Sequence, residues 1–177
     1  MLFTETKLPR VFIIELQCLE DERGFFSRSF CRHVFAERGL NPDVVQCNIS
    51  FNRDAGTLRG MHYQEAPYAE DKLIRCTRGS LYDVIVDLRV ESPTFKQWIA
   101  VELTGDNQRM LYVPKGCAHG FQTLEDNTEV FYQMSEFYHP ESARGLRWND
   151  PAFGIQWPAG VQVTLSERDR NWPDYRA

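Results

Sequence analysis

Short apolar segments, each about as long as a β-strand, alternate with turn residues along most of the chain. The clearest lies at 81–90, where Tyr82, Val84, Val86 and Leu88 fall on one face. A period of two is typical of a strand. Further strands are predicted at 11–16, 25–30, 44–51, 58–64, 73–77, 97–103, 109–113, 118–123 and 129–135. Their spacing of roughly ten residues, with turn signals between them, predicts a β-sandwich or barrel.

Helical patterns are short and lie outside this series. Residues 32–38 predict one or two helical turns that stop before Gly39 and Pro42. Residues 165–169 predict a second short helix with Ser166 as its N-cap. With 177 residues, the chain fits a single domain, 1–177. The segment 113–121, which contains a PxGxxHG pattern, favours a mainly β fold: a double-stranded β-helix (cupin or jelly-roll) barrel with short flanking helices.

Composition narrows the class of protein. Charged residues make up 25% and hydrophobic residues 42%, as in an ordinary globular domain, and the net charge of −5 argues against a nucleic-acid partner. No apolar run approaches the ~20 residues of a membrane-spanning helix. The N-terminus lacks the basic and apolar regions of a signal peptide. Five cysteines without a CxxC pair indicate reduced thiols, so a cytoplasmic protein without a membrane partner is expected.

Candidate chemistry concentrates on the predicted strands. His62 suits a general base at neutral pH. Arg59, Lys72, His119 and Tyr132 could converge with it. Taken singly, each has an ordinary structural interpretation, as a packed ring or a solvated charge. A base, a phenol and several cations together suit removal of a proton next to a carbonyl group and binding of a diphosphate.

A metal site is not expected. Metal-binding cupin barrels commonly use an HxH pair, and the corresponding pair position here reads His62-Tyr63-Gln64. Two cavity histidines without a third nearby donor make a poor transition-metal site. The sequence therefore predicts chemistry without a metal or other cofactor.

Many segments, in the same order along the chain, resemble one family, the dTDP-4-dehydrorhamnose 3,5-epimerases. The resemblance covers nearly the whole chain, and the combination of motifs is specific although no single motif is. It rests on Asp21–Phe26, Leu58–Gln64, Lys72–Cys76, Asp83–Arg89, Ser92–Phe95, Pro114–Phe121, Tyr138, Trp148–Asp150, Ile155–Pro158 and Leu165–Ser166.

The resemblance implies a cofactor-independent homodimeric epimerase that acts on a nucleotide-diphospho-4-keto-6-deoxy sugar. It implies that His62 is the base, Asp169 orients it, Tyr132 returns a proton on the opposite face, and Lys72 stabilises the enolate. The matched nucleotide- and sugar-binding positions are Arg23, Gln46, Asn48, Arg59, His119 and Tyr138. For the dimer, the strand at 11–16 could add to a neighbour's sheet edge.

Three positions depart from the family pattern. Arg28 and Ala143 stand where glutamates are usual, and Arg168 replaces a lysine. Arg28 and Arg168 remain expected substrate contacts, but a guanidinium only donates hydrogen bonds whereas a carboxylate accepts them. The departures leave a GDP-, CDP- or UDP-sugar open as the substrate. Three further alternatives are inversion at only C3 or C5, a barrel that binds sugar nucleotides without catalysis, and a metal-dependent cupin.

Overall fold

Antiparallel β-strands supply most of the regular secondary structure in the computed structural model, which describes residues 1–175. Two short helices accompany them. In chain order the elements are β1 (Leu2–Glu5), β2 (Phe12–Glu15), β3 (Leu19–Asp21), β4 (Gly24–Phe26), α1 (Arg32–Glu37), β5 (Gln46–Asn52), β6 (Leu58–Gln64), β7 (Lys72–Arg78), β8 (Ser80–Asp87), β9 (Trp98–Thr104), β10 (Arg109–Val113), β11 (Cys117–Thr123), β12 (Thr128–Met134), β13 (Ala143–Gly145) and α2 (Glu167–Arg170).

Two sheets face each other and a small hairpin stands apart. The first sheet has the order β1-β2-β10-β7-β12-β5, and the second has the order β13-β6-β11-β8-β9. Among residues 1–175, strands β3 and β4 pair only with each other. The prediction of a mainly β fold is confirmed.

The alternation along β8 fills both faces of the second sheet. Leu81 and Ile85 point between the two sheets, where they join a cluster with Ile74 and Val130. The intervening Val84 and Val86 pack on the other face against the C-terminal segment. Burying each such side chain contributes roughly 1.5–3 kcal/mol. The space between the sheets is therefore filled by core at one end and left open as a cavity at the other.

The outer face of the first sheet is only partly covered. Helix α1 places Phe35 there against Phe3 and Tyr112. At the β5 edge, by contrast, Ile49 is 65% exposed and Phe51 is 50% exposed. This edge carries an apolar surface that nothing in residues 1–175 covers.

A β-bulge interrupts the pairing of β6 with β11. His62 lies opposite His119 and Arg59 lies opposite Phe121, so two residues of β6 face one residue of β11. Gly60, at φ +125°, makes this possible because a Cβ atom there would lie 2.6 Å from Gly120 Cα.

The structure corrects two predicted elements. The strand predicted at 25–30 is limited to Gly24–Phe26, because its partner β3 is only three residues long. The predicted strand at 11–16 is present as β2, but β1 and β10 flank it, so it offers no free edge to a neighbour. Strands β1, β3 and β13 were not predicted. None of the helices within residues 1–175 has the length and apolarity needed to cross a membrane.

Candidate active site

A cavity of about 650 Å³ opens between the two sheets. Strands β5, β7 and β12 of the first sheet line one side, and β6 and β11 of the second sheet line the other. Ten of the twelve predicted site residues line it: Gln46, Asn48, Arg59, His62, Lys72, His119, Tyr132, Tyr138, Arg168 and Asp169. The facing sheets thus gather residues that are far apart in the sequence.

His62 and Asp169 form a hydrogen-bonded pair at the cavity wall. His62 Nε2 lies 2.6 Å from Asp169 Oδ1. Ser166 caps α2 by accepting a bond from the Asp169 backbone N–H, which fixes the carboxylate at the helix start. A carboxylate only accepts, so the neutral imidazole carries its proton on Nε2 and leaves Nδ1 as the basic atom.

Asp169 is held as a carboxylate by its surroundings. Burial by itself raises its pKa, but the hydrogen bond and charge of His62 outweigh that effect. Bonds from the Gly60 N–H and the Trp172 indole N–H add to it. The pKa of Asp169 consequently lies below its ordinary value, and the group remains negative beside the imidazole.

Tyr132 approaches the cavity from the opposite sheet. Strand β12 pairs it with Asn48 of β5 and Ile74 of β7, which fixes its backbone in the interior of the first sheet. Burial raises the pKa of the Tyr132 phenol, and the positive charge of Arg59 only partly offsets this. The phenol is therefore protonated at neutral pH and able to donate a proton.

Two further pairs of ionisable side chains border the cavity. Lys72 Nζ lies 2.9 Å from Glu70 Oε1, and both side chains are nearly buried. His119 Nε2 lies 2.6 Å from Asp83 Oδ1. Within residues 1–175 no three His, Cys, Asp or Glu side chains are grouped as a metal ion requires.

Polar groups continue along the cavity to its rim. Arg59 Nε donates to Asn52 Oδ1 at 2.7 Å. Gln46 Nε2 donates to Asn48 Oδ1 at 3.1 Å. These bonds fix the guanidinium and amide groups at the cavity wall.

Two residues from different parts of the chain form the rim. Arg168 Nη1 reaches Tyr138 Oη at 3.5 Å, and its guanidinium lies over the Trp172 ring. The rim thus presents a cation and a phenol beside the His62 and Asp169 pair.

The sequence profile described as dTDP-4-dehydrorhamnose 3,5-epimerase matches residues 5–177. The chain belongs to this family. It is 43% identical, over 173 residues, to the dTDP-4-dehydrorhamnose 3,5-epimerase of Sinorhizobium fredii; the match covers 98% of this chain and 89% of the relative.

Solved structures of the family have the same fold. The Bacillus anthracis dTDP-4-dehydrorhamnose 3,5-epimerase, crystallised with TDP and PPi bound, is 43% identical with a TM-score of 0.93, and 98% of each chain is covered. The Legionella pneumophila dTDP-6-deoxy-D-glucose-3,5-epimerase, in complex with dTDP-4-keto-L-rhamnose, is 38% identical with a TM-score of 0.90, covering 99% of this chain and 98% of that one. The predicted cupin-like jelly roll is confirmed.

Two predicted contacts of the epimerase family lie outside this cavity. Arg23 sits in the turn between β3 and β4, where it pairs with Asp21 and is 83% exposed. Arg28 is also exposed and lies beside Cys31. Neither belongs to the cavity lining of its own chain. The other two departures from the family pattern, Ala143 and Arg168, do line the cavity.

Sequence reasoning missed two acids next to predicted site residues. Glu70 lies in a segment that reads as a polar loop, and only its spacing of two from Lys72 could have linked them. Asp83 alternates with Leu81 and Ile85 on the inward face of β8. Its place among inward-facing apolar residues could have indicated that this acid has a partner inside the protein.

Proposed function

We propose that this epimerase inverts C3 and C5 of a dTDP-4-keto-6-deoxyhexose through an enolate. The observation that carries the proposal is the opposition of two groups across one cavity. The His62 and Asp169 pair belongs to the side of the second sheet, and the Tyr132 phenol belongs to the first sheet. A sugar ring between them has a base on one face and a proton donor on the other.

His62 is the base in this proposal. The 4-keto group acidifies the C–H bonds at C3 and C5. His62 Nδ1 takes the proton from one of these carbons, the C–H electron pair forms the enolate double bond, and the negative charge moves to O4. The imidazolium that results is stabilised by the Asp169 carboxylate 2.6 Å from Nε2.

Cationic and hydrogen-bonding groups stabilise the enolate oxygen. Lys72 is paired with Glu70, and its ammonium borders the same cavity. His119 lies directly across the β6 and β11 pairing from His62. Fixed donors at the position of developing charge stabilise it without having to reorganise during the reaction.

Tyr132 completes the inversion. Its phenol O–H gives a proton to the enolate carbon from the face opposite His62, and a new C–H bond of inverted configuration forms. His62 is then protonated and Tyr132 deprotonated, so both groups exchange with water before the second carbon reacts. The His62 side chain is 41% exposed, which allows that exchange.

Arg59 and the β5 amides are assigned to the diphosphate and nucleoside. Arginine suits phosphate oxygens through paired N–H donors. The dTDP and TDP ligands of the relatives support a thymidine diphosphate handle here. Arg28 remains the position at which the base preference of this chain could differ.

We also propose a homodimer in which each subunit contributes to its partner's site. The support is the exposed apolar edge of β5 together with the β3–β4 hairpin, which carries exposed Phe25 and Phe26 beside Arg23. Light scattering should give a mass near twice 20.7 kDa, and a monomer would reject the dimer.

Subunit mixing tests whether Arg23 acts across that dimer. Arg23→Ala and His62→Ala subunits should each be impaired alone. After mixing, half of the dimers are heterodimers with one intact site of two, so activity should recover to about one quarter of wild type. No recovery would mean that Arg23 does not act in the partner's site.

A solvent-exchange experiment tests the reaction. The enzyme in D₂O is given 4-keto-6-deoxyhexoses linked to dTDP, UDP, CDP or GDP, and deuterium is located by NMR. Deuterium at both C3 and C5 of the dTDP sugar is expected, whereas one labelled carbon would indicate a mono-epimerase. His62→Ala should abolish labelling, and the matched control His33→Ala, at an exposed helix residue, should not. Absence of labelling by the wild type would refute the proposal.

A further inference from the structure

Glu70 forms a buried charge pair that the proposed reaction does not yet use. Its Oε1 lies 2.9 Å from Lys72 Nζ, and the two side chains are 3% and 10% exposed. Its Oε2 is buried and has no hydrogen-bond partner among the described residues. Both Glu70 and Lys72 line the cavity.

The backbone holds this pair in place. Lys72 begins β7, where it lies opposite Val113 of β10 and Met134 of β12. Asp71 N–H donates to Ser135 Oγ at 2.8 Å, and the Asp71 carbonyl accepts from Ser135 N–H at 3.0 Å. Residues two apart in an extended segment point to the same side, so Glu70 and Lys72 share the cavity face.

The Lys72 ammonium has few other contacts. Apart from Glu70, it reaches the His62 carbonyl oxygen at 3.4 Å, a long hydrogen bond. A lysine side chain has four rotatable carbons and does not hold one position without a strong partner. Glu70 is therefore the group that fixes the ammonium near the His62 backbone, at the wall of the cavity.

We propose that Glu70 is a positioning residue that holds the charged Lys72 ammonium at the keto oxygen of the substrate. The inference rests on the proposed function, because only an enolate makes that location useful. A role in stability alone fits the geometry poorly. A buried carboxylate with one unpaired oxygen loses its hydrogen bonds to water without gaining a full set of bonds within the protein. Apolar residues in the place of such a pair often give a more stable fold.

A double-mutant cycle on kcat separates positioning from packing. Glu70→Gln should lower kcat by about 10- to 100-fold with KM within about 3-fold, and Lys72→Met by about 10²–10³-fold. Because Glu70 acts through Lys72, the double variant should be no slower than Lys72→Met. Glu15→Gln, which breaks the exposed pair of Glu15 with Arg109, is the matched control and should keep wild-type kcat.

Additive losses in the double variant would overturn the proposal. If Glu70→Gln fails to fold, Glu70→Asp keeps the charge at a shorter reach and should lower kcat in the same direction, while an unchanged kcat would contradict positioning. A ¹H–¹⁵N spectrum of the lysine ammonium groups, with Lys72 assigned from Lys72→Met, does not need turnover. An unchanged Lys72 signal in Glu70→Gln would overturn the inference, whether or not the enzyme turns over a dTDP sugar. A wild type that processes no dTDP sugar would, by itself, refute only the proposed function.

Discussion

Replacing Asp169 with asparagine tests the central pair of the proposed mechanism with a change of only one atom. Asp169 Oδ1 contacts His62 Nε2 and the Trp172 indole N–H, while Oδ2 faces the Gly60 N–H. In Asp169→Asn, an amide NH₂ must face one of these donors whichever way the side chain turns. If it faces His62, the imidazole must place its proton on Nδ1 and loses its basic atom.

The expected loss follows from charge and distance even if the tautomer is kept. With the imidazolium and carboxylate centres about 4 Å apart, their attraction is about 4 kcal/mol at an effective dielectric constant of about 20. Because the His62 side chain is 41% exposed while that of Asp169 is 6% exposed, solvent screening lowers this to about 2 kcal/mol at the least. A loss of about 2–4 kcal/mol corresponds to a kcat about 30- to 1,000-fold lower.

Deuterium incorporation and thermal unfolding should be measured on the same preparations. The matched control is Asp150→Asn, since Asp150 is also buried and accepts backbone bonds from Ala152 and Tyr175 but lies outside the cavity. The control should lower Tm and leave kcat per folded enzyme unchanged. A loss of less than about 3-fold in Asp169→Asn, with the fold intact, would refute the assignment of Asp169 as the partner of the base.

Three further outcomes are expected. Tyr132→Phe keeps the ring, so deuterium should still enter with retained configuration while inversion slows by about 10²–10⁴-fold, and an unchanged inversion rate would remove Tyr132 as the donor. Burial raises the pKa of Asp87, but bonds from Arg89 and two hydroxyl groups outweigh burial and lower the pKa from 3.8 to about 2. The ionised Asp87 therefore stabilises the folded state by ~2 kcal/mol above pH ~4, and this stabilisation is lost as the pH falls towards 2. The Tm difference between wild type and Asp87→Asn should therefore close towards pH 2, and a constant difference would contradict this. Arg28→Glu should change the ranking of dTDP, UDP, CDP and GDP affinities; if wild type already prefers dTDP and the ranking stays, Arg28 does not set the preference.

Elements with strong alternation could be predicted from the sequence, whereas those set by a partner could not. The pattern at 81–90 predicts β8 because the apolar side chains of that strand pack alternately against the inner core and against the cluster that includes the C-terminal segment. The strand predicted at 25–30 is shorter because its partner β3 ends, and no local pattern records a partner's length. Strand β1 was missed because it exists through pairing with β2.

The same distinction holds for the candidate site. His62, Lys72 and Tyr132 were predicted because their residue types suit proton transfer and their strands face inward. Glu70 was missed because its importance lies in a distance to another side chain. Arg23 was predicted through resemblance, and the structure leaves it outside the cavity lining of its own chain. A pattern within one chain does not indicate whether a residue acts in that chain or in a partner subunit.

The bulge in β6 makes the length of this strand part of the site. Residues three apart in a regular strand point to opposite faces, yet Arg59 and His62 both line the cavity because the extra residue reverses the phase between them. Deleting one residue between them, or inserting one, would turn either the guanidinium or the imidazole out of the cavity without changing any chemical group. This stretch should therefore tolerate no change in length, and the close approach of Gly60 to Gly120 restricts both of those positions to glycine.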